Sequence, residues 1–412
     1  MIQFERFTLD NGLNVLVHED DSTPMACVNI LYDVGARDES EDKTGFAHLF
    51  EHLMFGGSVN ISNYDEPLQL VGGENNAFTT NDLTNYYCSL PAKNIETAFW
   101  LESDRMLSLA FTPKSLEVQR NVVIEEFKQR YLNQPYGDVW LLLRPLAFKT
   151  HPYKWATIGK EIKHIEDATM EDVKGFFKKH YHPANAIMVV AGRVKLDEVK
   201  KLSEKWFGPI PAQIDAKRNI PSEPKQTEKR TLTVYRDVPA DAIYMAFHMC
   251  DRSHKDYHAT DIISDVLSRG NSSRLYNQLV KEKELFSDIN AYVSGDRDPG
   301  LFIVSGKLNE NVKVEDAEKA VWDELNILKE KLVEADELQK CKHKVESSIV
   351  FSETDILTKA TNLAIFEWLG NANEINTEID KYNAVKSEDL KRVANSLFVE
   401  SNCSVLYYLK NQ

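Results

Sequence analysis

The sequence predicts an α+β protein with two similar domains, each a mixed or antiparallel sheet packed against helices (an α/β roll). Three observations support this fold class. Predicted strands and helices occur in groups and do not alternate strictly. A proline-containing segment lies near the middle of the chain, and the order of elements before it repeats after it. The length of 412 residues also exceeds what a single ordinary core accommodates, which favours two domains.

The first half of the chain begins with strands. Apolar side chains alternate at Leu13, Val15 and Val17 after an Asn-Gly turn, and a second apolar run covers residues 26–33. The remaining pattern predicts a helix over residues 44–55, strands over 75–80 and 84–90, helices over 95–107 and 114–131, and a strand over 181–192. Together these elements are sufficient for one complete α+β domain.

The middle of the chain is predicted to be a linker. Residues 208–228 contain four prolines among charged and small residues, which is typical of a segment between domains. We therefore predict a first domain over residues 1–208, a linker over 209–228 and a second domain over 229–412. The second domain repeats the earlier order of elements with a strand over 242–249, a helix over 258–267 and strands over 286–293 and 300–304.

Composition limits the possible partners. Hydrophobic residues make up 42% of the chain and charged residues 27%, as in a soluble globular protein. The formal net charge of −15 repels phosphate backbones, and no long run of Lys or Arg supplies a local basic face. We therefore expect no nucleic-acid partner.

Cysteine usage and apolar runs indicate the compartment. The five cysteines are scattered and form no C-x-x-C pair, so neither a cysteine zinc site nor a disulfide framework is indicated. The N-terminal residues lack a basic segment followed by an apolar core, and the apolar run over 186–192 is too short to cross a bilayer. The sequence thus predicts a cytoplasmic protein with reduced thiols and no membrane association.

The segment that bears the chemistry is the string H-x-x-E-H formed by His48, Glu51 and His52. On a helix these three side chains share one face, because positions i, i+3 and i+4 lie together. The opposite face carries apolar residues at core spacing, namely Phe46, Leu49, Phe50 and Leu53. Two neutral imidazoles suit Zn²⁺, and Glu51 can act as general base toward a water molecule on the metal. The alternative is an amphipathic helix whose polar face holds these residues by chance.

A catalytic zinc site typically needs a third protein ligand. The helical segment over residues 117–127 contains two adjacent acids, Glu125 and Glu126, and either could serve. The alternative for both is a solvated helix face. The residues alone leave this choice open.

These motifs together resemble the pitrilysin/insulinase family of zinc peptidases, whose pattern is H-x-x-E-H followed by a Glu further along the chain. Three other segments are also similar to the family, namely N-N-A-F-T-T-N-D-L-T-N-Y-Y at 75–87, S-D-R-M at 103–106 and Y-H-P-A-N at 181–185. The resemblance extends over residues 7–409, strongest in the first half, and is to the short two-domain bacterial branch, similar to mitochondrial processing peptidase subunits. It implies a zinc endopeptidase that acts on extended peptides, with one Zn²⁺ per chain.

The resemblance also implies roles for individual residues. The family's third ligand matches Glu126, which lies 74 residues after His52, with Glu125 as the second choice. Asn76 and Ala77 match an edge strand that pairs with the substrate backbone, as in β-augmentation. Gln119 stands where the family often has a Glu that supports the metal site, so any such support here comes from a neutral amide.

One departure from the family concerns the second domain. Self-sufficient members carry there an Arg and, seven residues later, a Tyr that contact the substrate and its developing oxyanion; the matching residues here are Val280 and Ser287. The second half also lacks a counterpart of the His/Glu string. The resemblance therefore implies the catalytic subunit of a heterodimer whose partner, a second family member, supplies the Arg and Tyr. The alternative is a non-catalytic scaffold or assembly subunit of the same family.

Overall fold

The computed structural model describes residues 1–213 and 218–411, and the chain forms two compact units. Each unit is built from three stretches of the chain. The first unit comprises Met1–Lys128, Trp155–Ile220 and Val350–Thr377. The second unit comprises Gln129–Lys154, Pro221–Ile349 and Glu378–Gln412.

The first unit contains a six-stranded sheet with the order β1-β2-β6-β3-β5-β4. Its strands are β1 (Glu5–Thr8), β2 (Asn14–Glu19), β3 (Met25–Tyr32), β4 (Glu74–Thr79), β5 (Thr84–Pro91) and β6 (Ala186–Gly192). Strands β2 and β6 run parallel, and the other neighbouring pairs run antiparallel. Strand β4 therefore lies at an edge of this sheet.

The second unit contains a five-stranded sheet with the order β7-β11-β8-β10-β9. Its strands are β7 (Arg230–Arg236), β8 (Ala242–His248), β9 (Phe286–Val293), β10 (Leu301–Leu308) and β11 (Cys403–Lys410). Strands β7 and β11 run parallel and the other pairs antiparallel. Apart from the additional β1, this order and these directions repeat those of the first sheet. The prediction of two similar α+β domains is confirmed.

Helices cover the sheets in both units. They are α1 (Phe46–Leu53), α2 (Asp65–Leu70), α3 (Ile95–Leu107), α4 (Pro113–Phe127), α5 (Val139–Ala147), α6 (Ile162–Glu166), α7 (Met170–His180), α8 (Leu196–Trp206), α9 (Tyr257–Ser268), α10 (Val314–Glu330), α11 (Ala335–Ser352), α12 (Ile356–Trp368), α13 (Glu378–Ala384) and α14 (Ser387–Leu397). Among residues 1–213 and 218–411, no helix is long and apolar enough to cross a membrane.

The two units differ from the continuous division expected at residues 208 and 229. Helix α12 packs against the sheet of the first unit through Ala360, Leu363 and Ala364, which are fully buried. Helix α5 packs in the core of the second unit through Leu143 and Ala147. Burying one such leucine stabilises the fold by about 1.5–3 kcal/mol, whichever sheet receives it. An amphipathic pattern therefore predicts a helix but not the sheet that covers it.

Local boundaries also differ from the expectation at two places. The strand expected over residues 181–192 begins only at Ala186, because Pro183–Asn185 form a 3₁₀ turn in which the proline has no N–H to donate. The helix expected over 44–55 begins at Phe46, after a glycine with left-handed backbone geometry.

Candidate metal centre

Helix α1 begins at a sharply defined position. Gly45 has φ +87°, and a Cβ atom there would lie 2.7 Å from the carbonyl oxygen of Ile158, so glycine is required on both counts. The buried carboxylate of Glu39 accepts hydrogen bonds from the backbone N–H groups of Gly45 (2.9 Å) and Ala47 (2.8 Å). Burial raises the pKa of Glu39 to about 8, and these two N–H donors oppose that rise. The sequence did not indicate this cap, since Glu39 lies outside the helix.

The apolar face of α1 fixes its orientation. The ring of Phe50 is fully buried and packs on Phe176 (5.0 Å between centroids) and on Tyr181 (5.2 Å). The hydroxyl of Tyr86 on β5 donates to the backbone carbonyl of Phe50 at 3.4 Å. The other apolar residues of this face are also buried, namely Phe46, Leu49 and Leu53. With that face buried, the polar face presents the two histidines and Glu51 together, as the sequence predicts.

Helix α4 carries the two candidate acids. It begins with a capping box in which the Thr112 hydroxyl accepts from the N–H of Ser115 at 3.0 Å and the Ser115 hydroxyl accepts from the N–H of Thr112 at 3.1 Å. Arg120 donates to the carbonyl oxygens of Ile165 (3.1 Å) and Ala168 (2.5 Å), which fixes the rotation of the helix.

The structure brings His48, His52 and Glu126 together. Oxygen Oε2 of Glu126 lies 3.5 Å from Nε2 of His48 and 3.3 Å from Nε2 of His52, and the three possible ligand atoms lie within 4.8 Å of one another. The side chains are 13%, 25% and 17% exposed in the order His48, His52 and Glu126.

This donor set fits zinc. Tetrahedral zinc with bonds of about 2.0–2.1 Å holds its ligand atoms about 3.3 Å apart, close to the two separations from Glu126. Within residues 1–213 and 218–411, no further His, Cys, Asp or Glu belongs to the cluster. Three protein donors with one position left for water or substrate is the pattern of a catalytic zinc site.

The neighbouring Glu125 points away from this cluster. Its side chain is 61% exposed and pairs with Lys128 at 2.7 Å, whereas Glu126 is mostly covered. Adjacent residues of a helix point about 100° apart, so only one of the two acids can face the histidines. The geometry favours Glu126 as the third donor.

This difference gives a matched pair of variants. We expect Glu126→Gln to weaken zinc binding by about 10²-fold or more, since it replaces an anionic donor by a neutral amide oxygen. Glu125→Gln removes the same charge one residue earlier and should keep the affinity within about threefold, as expected for a solvent-exposed group. Competition with a chromogenic chelator measures both constants. The reverse ranking would move the third ligand to Glu125.

Glu51 is held from the neighbouring sheet. The hydroxyl of Thr79, the last residue of β4, donates to Oε2 of Glu51 at 2.5 Å. Both side chains belong to residues that are partly buried. Thr79 lies in the segment that resembles the peptidase family, but sequence alone gives no indication that it contacts a residue 28 positions earlier.

Strand β4 has the edge position predicted for it. Asn76 and Ala77 pair with Tyr87 and Tyr86 of β5, and among the residues that the structure describes no strand pairs with the other side of β4. The side-chain oxygen of Asn76 accepts from the N–H of Ala77 at 2.8 Å. Substrate contact by Asn76 and Ala77 stays a prediction.

The structure also shows what surrounds the other three residues singled out from the sequence, which are Gln119, Val280 and Ser287. Gln119 is partly buried and lies two turns before Glu126 on the same face of α4, and its supporting role stays a prediction. In the second unit, Val280 packs against the hydrophobic core, and the exposed Ser287 donates its hydroxyl to the carbonyl of Lys307 at 3.3 Å. Neither side chain offers the long cationic or phenolic donor found at these positions in self-sufficient members of the family that the sequence resembles.

Comparison with known proteins gives consistent similarities. Residues 14–152 match the family described as insulinase (peptidase family M16), and residues 167–345 match the peptidase M16 inactive domain. The zinc protease PqqE of Helicobacter pylori is 31% identical over 414 residues, which cover 98% of this chain and 92% of that protein. A protein of Arabidopsis thaliana named "Probable mitochondrial-processing peptidase subunit beta, mitochondrial" is 24% identical over 412 residues. The match covers 97% of this chain and 77% of that protein. The crystal structure of a protease from Helicobacter pylori superposes with a TM-score of 0.93 at 29% identity, covering 99% of this chain and 100% of that one.

Proposed function

Because the chain belongs to the peptidase M16 family of insulinase- and pitrilysin-like proteins, as a two-domain member, we propose that it is a zinc-dependent endopeptidase acting on extended peptides. The observation that carries the proposal is the convergence of His48, His52 and Glu126 beside Glu51. Relatives named as zinc proteases support the same chemistry.

The residues divide the chemistry between them. Zinc held by the three donors would polarise a peptide carbonyl and lower the pKa of a water molecule. Glu51 accepts a proton at its carboxylate and returns it to the leaving amine, as a general base and then a general acid. Asn76 and Ala77, on the open edge of β4, hold the peptide backbone in an extended conformation.

The same proposal includes a partner. Attack on a peptide carbonyl builds negative charge on its oxygen, and a donor aimed at that oxygen is worth about 10²–10³-fold in rate. Val280 and Ser287 cannot supply such donors as an Arg and a Tyr would, so a second family member supplies them in a heterodimer. The relative named as a subunit of a processing peptidase supports this arrangement. The absence of the Arg/Tyr pair also favours a second candidate, a non-catalytic scaffold subunit, whereas the intact metal donors oppose it.

Peptide hydrolysis by the zinc-loaded chain tests the proposal. We expect weak cleavage of unstructured peptides by the chain alone and a rise of about 10²–10³-fold when a co-purifying family member with the Arg/Tyr pair is added. The same partner with both residues changed to Ala is the control and should activate far less. Efficient cleavage by a homogeneous preparation of the chain alone would contradict the heterodimer. A zinc-loaded mixture that cleaves no peptide would instead favour the scaffold subunit.

A further inference from the structure

One hydrogen bond connects the edge strand β4 to the helix that bears the metal donors. The hydroxyl of Thr79 lies 2.5 Å from Oε2 of Glu51. This separation is typical of a hydroxyl that donates to an ionised carboxylate, and such bonds are roughly twice as strong as bonds between neutral groups. The contact therefore constrains the carboxylate of Glu51 and does not merely fill space beside it.

Both ends of this hydrogen bond are anchored. Thr79 pairs with Thr84 of β5, so the strand holds the hydroxyl in place. Helix α1 is held by the buried ring of Phe50 and by the bond from Tyr86 to the Phe50 carbonyl. A glutamate side chain samples several rotamers when nothing holds it. Here a donor on one rigid element contacts an acid on another and restricts its rotamers.

We propose that Thr79 is a positioning residue for Glu51, an inference that rests on the proposed peptidase function. The hydroxyl of Thr79 donates to Oε2 of Glu51 and so sets the orientation of the carboxylate that takes the proton from water. The role is one of orientation, because Thr79 itself need not touch the substrate or the metal.

The position of Thr79 on β4 also connects substrate binding with proton transfer. Ala77 and Thr79 are two residues apart on the strand, so their side chains project from the same face of the sheet. A peptide paired with the open edge at Asn76 and Ala77 is held by the strand that orients the general base. The register of the substrate and the direction of the Glu51 carboxylate are therefore set by a single element.

Thr79→Val and Thr79→Ser form a matched pair for the test. Valine keeps the shape of threonine but removes the hydroxyl, whereas serine keeps the hydroxyl. With the activating partner present, we expect Thr79→Val to lower kcat about 10- to 100-fold, as for loss of a hydrogen bond to a charged group, with KM within about twofold. Zinc content should equal that of the wild type, and Thr79→Ser should restore most of kcat.

The control variant and a crystal structure separate this role from a structural one. Thr233→Val removes an exposed hydroxyl from strand β7 of the second unit and should leave kcat unchanged. Crystals of zinc-loaded Thr79→Val should show Glu51 turned away from its wild-type rotamer, whereas Thr79→Ser should keep that rotamer. An unchanged Glu51 rotamer and wild-type kcat in Thr79→Val would overturn the inference. If Glu51 turns in Thr79→Val but the wild type cleaves no peptide, the positioning contact stands and the peptidase function fails.

Discussion

Changing both His48 and His52 to Ala is expected to abolish zinc binding and all peptide hydrolysis. The two Nε2 atoms approach the same oxygen of Glu126, at 3.5 and 3.3 Å, so the double variant removes two of the three donors. Structural zinc sites bind their metal with about 10–16 kcal/mol, shared among four ligands. Loss of two imidazoles therefore predicts at least about a 10³-fold weaker affinity.

Elemental analysis of the purified variants measures this effect directly. The matched control changes two exposed histidines of the second unit, His254 and His343, to Ala. It removes the same number of imidazoles and should retain one zinc per chain. The folded state of both variants is compared by circular dichroism, because the His48 and His52 side chains are mostly covered and their removal also removes packing. Full zinc occupancy in the His48/His52 variant would show that the metal donors are elsewhere.

The helix that carries His48 and His52 could be predicted from sequence because the residues that define it are close together in the chain. His48, Glu51 and His52 share a face at helical spacing, and the apolar residues between them identify the buried side. The third donor could not be chosen in this way. Glu125 and Glu126 lie side by side on α4, and the rotation of that helix depends on contacts such as Arg120 with the Ile165 carbonyl, which join distant parts of the chain.

Contacts between elements account for the rest of what the sequence could not predict. Glu39 caps α1 from a loop, and Thr79 reaches Glu51 from a strand, so neither contact follows any periodic pattern. The expected repeat of strands is present, since the order β7-β11-β8-β10-β9 of the second sheet matches β2-β6-β3-β5-β4 of the first. Helix α12 departs from the continuous domains because it makes long-range contacts with the first unit, such as the bond that Trp368 donates to Asp33.

Changing Glu51 to Gln is expected to leave zinc bound and to lower the rate of peptide hydrolysis about 10²–10⁴-fold, the usual effect of losing a general base. Glu51 shares the polar face of α1 with His48 and His52 but is absent from the cluster of possible ligands. Glutamine has the same shape and can still accept the hydrogen bond from Thr79. It cannot take up a proton, so binding and catalysis should separate in this variant.

The measurement is kcat and KM in the presence of the activating partner, with zinc content determined on the same preparation. Glu66→Gln, which neutralises an exposed acid on α2, is the matched control and should keep the wild-type rate. A fall in kcat with little change in KM would indicate loss of an interaction made in the transition state. Loss of zinc in Glu51→Gln would make Glu51 a ligand, and a wild-type rate would refute its role as base. Glutamine keeps an oxygen that can accept from Thr79, so a lost rate with zinc retained points to the missing proton acceptor.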